Sequence, residues 1–325
     1  MAKAKDINLK QLVSFIKKSK KVLIATHQYP DGDGIGSIIA LGEALKQLNK
    51  QIKLYIIDPV PKMYQFLPGH KKITKSLKAS EKFDLTIMVD LGEIERVGSY
   101  FADHQHRGTT ISVDHHIGGE HNCDYNFCLP HQASSGEVVY KVLKALKTKF
   151  NHTIAMGIYT AMVTDTGSFK YSNTTQETFE IAADISRYKI DYWKVALNCF
   201  ETYSIERMSL LKRVMARMET HPNKKIAWIV IKNDDFKKTG ACSDDTEGFI
   251  NFPRSIEGVE VAIAFKEMKS KLYKISLRSK NYVNVAKIAE GFSGGGHMRA
   301  SGLKIEGSFE TVKKTLFKEI IKKLK

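Results

Sequence analysis

Acidic residues and histidines recur in four short runs of this 325-residue chain: His27, Asp31 and Asp33; then Asp90; then Asp114, His115 and His116; then Asp165. Carboxylates gathered in one place repel one another unless a cation neutralises them, and few basic side chains accompany these runs. Divalent metal answers that need. Imidazole beside carboxylate suits Mn²⁺ best among the common ions, with Mg²⁺, Co²⁺, Fe²⁺ or Zn²⁺ as alternatives. The number of donors suggests two ions, and a pair held ~3.5–4 Å apart is a phosphoryl-transfer device that acidifies a water and neutralises the displaced oxygens. The four cysteines, Cys123, Cys128, Cys199 and Cys242, form no CxxC pair, so neither thiolate ligation nor a disulfide framework is expected.

The runs have to be brought together, and the sequence around them shows how. His27 follows the apolar segment Val22 to Thr26, Asp90 closes Leu85 to Val89, and Asp114 closes Thr110 to Val113; Lys53 to Ile57 reads as a further strand. Helical periodicity covers Ile35 to Leu48, Ser134 to Leu146 and His152 to Val163, the last ending just before Asp165. This βαβ rhythm predicts an open, largely parallel sheet, whose ligands bind beyond the carboxyl ends of the strands. Asp58, also past a strand, reads as a helix cap or turn former.

From Thr175 to Met218 the pattern is helical, and after His221-Pro222 the period changes. Ile226 to Ile231, Val259 to Phe265, Leu272 to Leu277 and Gly302 to Ile305 read as strands, Val283 to Phe292 as a helix, and a last helix follows a cap at Ser308. The expected organisation is a domain over 1–190, a helical connector over 191–220 and a smaller α/β domain over 221–325. Within the latter, Gly294, Gly295, Gly296 and His297, with Arg299 close behind, read either as a tightly packed loop or as a backbone-amide nest suited to an anionic oxygen.

Composition sets the outer limits. With 42% hydrophobic and 26% charged residues the chain is too apolar for general disorder, and no run approaches the ~18 apolar residues of a membrane span. The lysine-rich start has no apolar leader segment, so a cytoplasmic address without membrane association is expected. A formal charge of +16 favours polyanionic partners, unless it reflects only a generally lysine-rich proteome. The lysines of the final segment, Lys313 to Lys325, read first as the solvated face of a docked helix.

In their order and spacing, His27-Gln-Tyr-Pro-Asp31-Gly-Asp33, Asp90, Asp114-His115-His116 and Asp165 resemble the motifs of the DHH phosphoesterases. Gly294-Gly-Gly-His297 resembles the signature of the DHHA1 domain that follows them in one branch. The two-domain arrangement is most similar to the nanoRNase, or oligoribonuclease A, type, which is often also a 3′,5′-bisphosphonucleotide (pAp) phosphatase; RecJ-type exonucleases carry further domains for which little room is left. The resemblance implies an N-terminal DHH domain with a mostly parallel sheet, a smaller DHHA1 domain and an active site in the cleft between them. It further implies one Mn²⁺ held by His27, Asp31 and Asp90 and another by Asp33, Asp90, His115 and Asp165. Asp114 and His116 would take catalytic roles, Asp114 tuning an imidazole and His116 meeting the phosphate or moving a proton. Arg278, Ser279, Gly294, Gly295, Gly296 and His297 would bind substrate. Short RNA oligonucleotides and pAp are the implied partners, and a homodimer is compatible with the pattern. Competing readings are a phosphodiesterase for linear or cyclic dinucleotides and a noncatalytic nucleic-acid-binding protein.

Overall fold

The computed structural model describes residues 4–91, 94–98, 101, 106–116, 123–269 and 271–324, without the side chains of residues 94, 95, 269 and 297. The chain divides into two compact units, Met1–Thr202 and Tyr203–Lys325. Of the segment expected to connect two domains, the helical turns over 192–201 fall in the first unit and the helix Ile205–Met215 in the second.

The first unit is built on a seven-stranded sheet in the order β1-β7-β6-β5-β2-β3-β4. Its strands are β1 (Lys5–Asp6), β2 (Lys21–Ala25), β3 (Gln51–Tyr55), β4 (Ile73–Thr74), β5 (Leu85–Val89), β6 (Thr109–Asp114) and β7 (Tyr125–Cys128). All pairings are parallel. Such a sheet is covered on both faces, so its central strands carry apolar residues without alternation, and every residue of β5 is buried. Helices α1 (Leu9–Lys18), α2 (Gly32–Lys46), α3 (Ser135–Ala145), α4 (His152–Asp165), α5 (Gln176–Ser186) and α6 (Tyr192–Ala196) contribute to this unit. Ile35, Ile38 and Leu41 of α2 and Ile154, Ile158 and Met162 of α4 join Val22, Ile24, Ile87 and Ile111 in one core.

A close helix crossing fixes the relation between two acidic runs. A Cβ on Gly36 of α2 would lie 2.2 Å from the carbonyl oxygen of Gly157 of α4, and one on Gly157 would lie 2.5 Å from the Gly36 oxygen. The two backbones touch there because neither residue has a side chain. Asp33, at the start of α2, lies about one helical turn from that contact, and Asp165, at the end of α4, lies about two turns from it.

The second unit is a six-stranded sheet in the order β12-β13-β11-β10-β9-β8. These are β8 (Glu219–Thr220), β9 (Ile226–Ile231), β10 (Val261–Lys269), β11 (Leu272–Ser279), β12 (Gly295–His297) and β13 (Ala300–Glu306). Only β9 and β10 run parallel; the other pairs are antiparallel. The alternation of side chains along β9 separates two cores. Ile226, Trp228 and Val230 pack with α10 (Val285–Glu290) and α11 (Phe309–Ile321), while Ile229 and Ile231 pack with Leu210 and Val214 of α7 (Ile205–Met215). Helices α8 (Asn233–Thr239) and α9 (Asn251–Ser255) complete the unit. Ser308 caps α11, its side chain accepting from the Thr311 amide, as the sequence predicts. The two-domain α/β architecture, with a parallel sheet first and a smaller unit second, is the one expected.

Gly36→Ala places a methyl against the Gly157 carbonyl in a contact with no slack, and overpacking of this kind costs about 1–3 kcal/mol. Chemical denaturation of the full chain should show that loss, and the metal affinity of the variant should fall with it, because α2 and α4 carry donors of the same group. Unchanged stability would mean that the helices do not meet as described.

Candidate metal centre

Each acidic or imidazole group sits at the carboxyl edge of the parallel sheet. His27 lies two residues beyond β2, Asp90 immediately follows β5, and Asp114 ends β6 with His115 and His116 just past it. Asp31 is the N-cap of α2, its side chain accepting from the Gly34 amide at 3.0 Å. The groups converge into three overlapping clusters: His27 with Asp31 and Asp90; Asp33 with His115 and Asp165; and Asp90 with Asp114, His115 and His116.

The geometry inside the clusters is that of donors around a cation. His27 Nε2 is 3.5 Å from Asp90 Oδ2 and 3.9 Å from Asp31 Oδ1. His115 Nε2 is 3.6 Å from Asp33 Oδ2, 3.6 Å from Asp165 Oδ2 and 3.8 Å from Asp90 Oδ1. These separations are too long for hydrogen bonds, but they suit donors sharing one ion at ~2.0–2.2 Å from each. Asp90 belongs to both groups through its two oxygens.

The imidazoles are aimed by their other nitrogen. His27 Nδ1 lies 2.8 Å from the Gln28 carbonyl, His115 Nδ1 lies 3.2 Å from the Gln132 carbonyl, and His116 Nδ1 lies 2.7 Å from Asp114 Oδ1. Carbonyls and carboxylates can only accept, so Nδ1 carries the proton in each ring and a neutral ring keeps the Nε2 lone pair for a ligand. Asp114, fully buried, also accepts from the His115 and His116 amides, at 2.7 and 3.1 Å.

Titration behaviour tests whether a cation fits. Burial, and then the charges of Asp90, Asp165 and Asp31, push the Asp33 carboxyl well above the ordinary carboxylate range. Asp165 is pushed up in the same sense by desolvation and by Asp31 and Asp90. Asp90 goes the other way: burial would raise it, but the His27 contact and the charges of His116, His27 and His115 hold it below that range. Burial would lower His116, yet its bond to Asp114 and the charges of Asp114, Asp90 and Asp165 raise it to about 9. Carboxylates that resist ionising together, with the His27 and His115 Nε2 atoms beside them, are a donor set that divalent cations satisfy.

Several supporting groups carry no signal of their own in the sequence. The Ser135 and Gly136 amides donate to Asp33 Oδ2 and Oδ1, at 2.7 and 2.9 Å, so the free N–H groups that open α3 hold this carboxylate. Ser135 Oγ donates to Asp90 Oδ1 at 3.2 Å, and Asn173 Nδ2 donates to the Asp165 carbonyl at 3.2 Å. The Ser134-Ser-Gly-Glu137 run marks a helix start, with the Ser134 side chain capping Glu137, and that was the available hint to the first of these. Cys123 and Cys128 are free thiols, pushed up to about 11 chiefly by burial.

The residues expected to bind substrate all lie in the second unit. Arg278 and Ser279 end β11, and the Ser279 hydroxyl is buried and donates to the Val283 carbonyl at 2.6 Å. The glycine run is an edge strand rather than a loop: Gly295 to His297 form β12, paired to β13. Close packing accounts for two of its glycines. A Cβ on Gly294 would lie 2.4 Å from the Gly302 oxygen; one on Gly296, whose φ is 138°, would lie 2.5 Å from the Ala300 oxygen. The His297 side chain lies outside the described residues.

Residues 21–164 match the DHH family, N-terminal domain, and residues 223–325 match the DHHA1 domain. The chain is 28% identical to the bifunctional oligoribonuclease and PAP phosphatase NrnA of Thermus thermophilus, over 88% of this chain and 84% of that one. It is 23% identical to the Bacillus subtilis protein of the same name, over 91% and 92%. Among solved structures, an exopolyphosphatase-related protein from Bacteroides fragilis superposes with a TM-score of 0.85 at 27% identity, over 97% of this chain and 95% of that one. Among the described residues no helix is long and apolar enough to cross a membrane.

A group whose folded pKa is raised destabilises the folded state as pH climbs above the ordinary carboxylate range, and the metal-free protein carries two such groups in Asp33 and Asp165. Asp165→Asn should therefore raise the Tm of metal-free protein at pH 7 while reducing the further rise that Mn²⁺ produces in the unmodified chain. Asp90→Asn should lower occupancy at both positions. Calorimetry with elemental analysis checks both, and an Asp165→Asn chain that keeps full metal content and full metal-induced stabilisation would refute the assignment of that donor.

Proposed function

The chain belongs to the DHH/DHHA1 family of metal-dependent phosphoesterases, and on that premise we propose that it is a Mn²⁺-dependent oligoribonuclease and bisphosphate nucleotidase. It hydrolyses short RNA oligonucleotides to nucleoside 5′-monophosphates, and pAp to AMP. The observation that carries this reading is the extent of the likeness to proteins named for that pair of activities: it runs along more than four-fifths of both chains in the Thermus case. The clustered donors supply the chemistry such hydrolysis needs.

In this reading His27, Asp31 and Asp90 hold one ion and Asp33, Asp90, His115 and Asp165 hold the other. When bound, the pair supplies Lewis acidity, which acidifies water and offsets charge on the phosphate oxygens. The residues themselves do the rest. Asp114 holds the proton on His116 Nδ1 and favours the protonated ring, so that His116 meets a phosphate oxygen or passes a proton to the departing ribose oxygen. Arg278, the Gly294–Gly296 backbone and His297 place the substrate phosphate, with Ser279, its hydroxyl bonded to the Val283 carbonyl, supporting the end of β11 beside Arg278. RNA and pAp then share one reaction, hydrolysis of a phosphoester next to a ribose.

With Mn²⁺, RNAs of two to five nucleotides should show higher kcat/KM than a twenty-four-nucleotide RNA, and pAp should yield AMP. Arg278→Ala and His297→Ala should weaken kcat/KM by about tenfold or more, ~1.4 kcal/mol, with near-normal metal content. End-labelled product analysis, run with pAp and with linear and cyclic dinucleotides, decides the substrate. A clear preference for the long RNA would point to RecJ-like processing, and a preference for cyclic dinucleotides to a signalling phosphodiesterase.

A further inference from the structure

Asp58 lies three residues beyond β3, the strand that pairs with β2 in the register Ala25 opposite Tyr55, and so stands next to the turn that carries His27. A turn-forming aspartate bonds to the backbone a residue or two away. Asp58 instead reaches across 29 positions, accepting the Tyr29 amide on Oδ2 at 2.7 Å. We propose that Asp58 is a positioning residue for the metal centre, acting on His27 through the one peptide unit between Gln28 and Tyr29. The proposal rests on the reading of His27 as a metal ligand.

That peptide unit is bonded at both ends. Its N–H, from Tyr29, points to Asp58; its C=O, from Gln28, accepts from His27 Nδ1 at 2.8 Å. In a planar trans peptide the two groups point in opposite directions, so whatever fixes one fixes the other. The carbonyl holds the proton on Nδ1 and turns the Nε2 lone pair toward Asp90 and Asp31. A carboxylate accepting at the N–H end also draws charge toward the carbonyl oxygen. That strengthens its bond to the imidazole and makes Nε2 a better donor to a cation.

The backbone supplies the reason such an anchor is needed. Tyr29 has φ 54°, left-handed, and it precedes Pro30, where the backbone is restricted further. Rotating the 28–29 peptide plane would return Tyr29 to ordinary space, and the same rotation would take the Gln28 carbonyl off His27 and the Tyr29 amide off Asp58. The preceding amide, of Gln28, is tied to the Arg96 carbonyl, so relaxation is channelled into this one plane. Asp58 opposes it.

The test uses the full chain with Asp58→Ala, Asp58→Asn and His27→Gln. Mn²⁺ binding is followed by the EPR signal of free Mn²⁺, and the imidazole tautomers of metal-free protein by ¹⁵N NMR, with the His27 resonances identified by their loss in His27→Gln. Asp58→Ala should weaken one Mn²⁺ site ~10–100-fold and leave His27 in a mixture of tautomers. Asp58→Asn keeps an acceptor oxygen, and should retain the single tautomer with a loss of affinity under tenfold. Wild-type affinity at both sites and an unchanged His27 tautomer in Asp58→Ala would overturn the proposal and return Asp58 to a turn-forming role. Should Asp58→Ala not fold, an Asp58→Asn chain that loses the site as completely as His27→Gln overturns it equally. If His27→Gln itself leaves Mn²⁺ binding unchanged, the ligand reading fails and the proposal with it; if His27→Gln weakens binding and Asp58→Ala does not, only the proposal fails.

Discussion

Mutual repulsion among Asp31, Asp33, Asp90 and Asp165 is the constraint around which the first unit is arranged. Asp33 and Asp90 are almost fully buried, 1% and 2% exposed, so water does little to separate their charges. A fold tolerates such a group only if every member is held in place by something other than its neighbours. Here the α3 amides hold Asp33, the Gly34 amide holds Asp31 and the Ser135 hydroxyl holds Asp90, while the His115 and His116 amides hold the adjoining Asp114. Backbone amides cannot titrate or swing away, so the site keeps its shape while its charge changes. That is the property a centre for exchangeable divalent ions requires.

The parallel sheet makes this arrangement economical in chain. Strands that all point the same way deliver their following residues to one edge, and β2, β5 and β6 lie side by side in the sheet. The fourth run arrives differently. Asp165 comes from the end of a helix, and it reaches the others because α4 crosses α2 at the Gly36–Gly157 contact. One pair of glycines thus does for Asp165 what strand pairing does for His27, Asp90 and Asp114.

These two mechanisms differ in how well a sequence reveals them. Strand-end chemistry is readable, because an apolar run followed at once by His27, Asp90 or Asp114 is a local pattern. The same holds for Leu85–Val89, whose bounds the pattern gives to the residue, and for the cap at Ser308. What stays hidden is the long-range hydrogen bonding. Ser135 is 102 positions from Asp33, and nothing local to either predicts their bond. Short strands are hidden for a related reason: β1, of two residues, and β12, of three, exist only because a neighbouring strand completes their hydrogen bonds. The glycine run illustrates it. Its residues read as a loop because glycine weakens a strand, yet β13 supplies the partner, and packing against Gly302 and Ala300 excludes anything larger at Gly294 and Gly296.

Asp90 concentrates these demands in one residue. Its φ of 60° places it in the left-handed region, at a cost of about 1–2 kcal/mol that glycine would escape. Glycine is excluded because the position needs a carboxylate whose two oxygens face different clusters. The conformation follows from its place in the sheet. The Asp90 amide still bonds to the Val113 carbonyl of β6, so the backbone remains in register up to this residue. The chain then has to turn within a single residue if the side chain is to stay in the pocket rather than continue the alternation of the strand. Strain at Asp90, strain at Tyr29 on the neighbouring turn, and the amide-held carboxylates are thus consequences of one requirement: donors from separate segments must face a common centre while the strands carrying them remain fully paired.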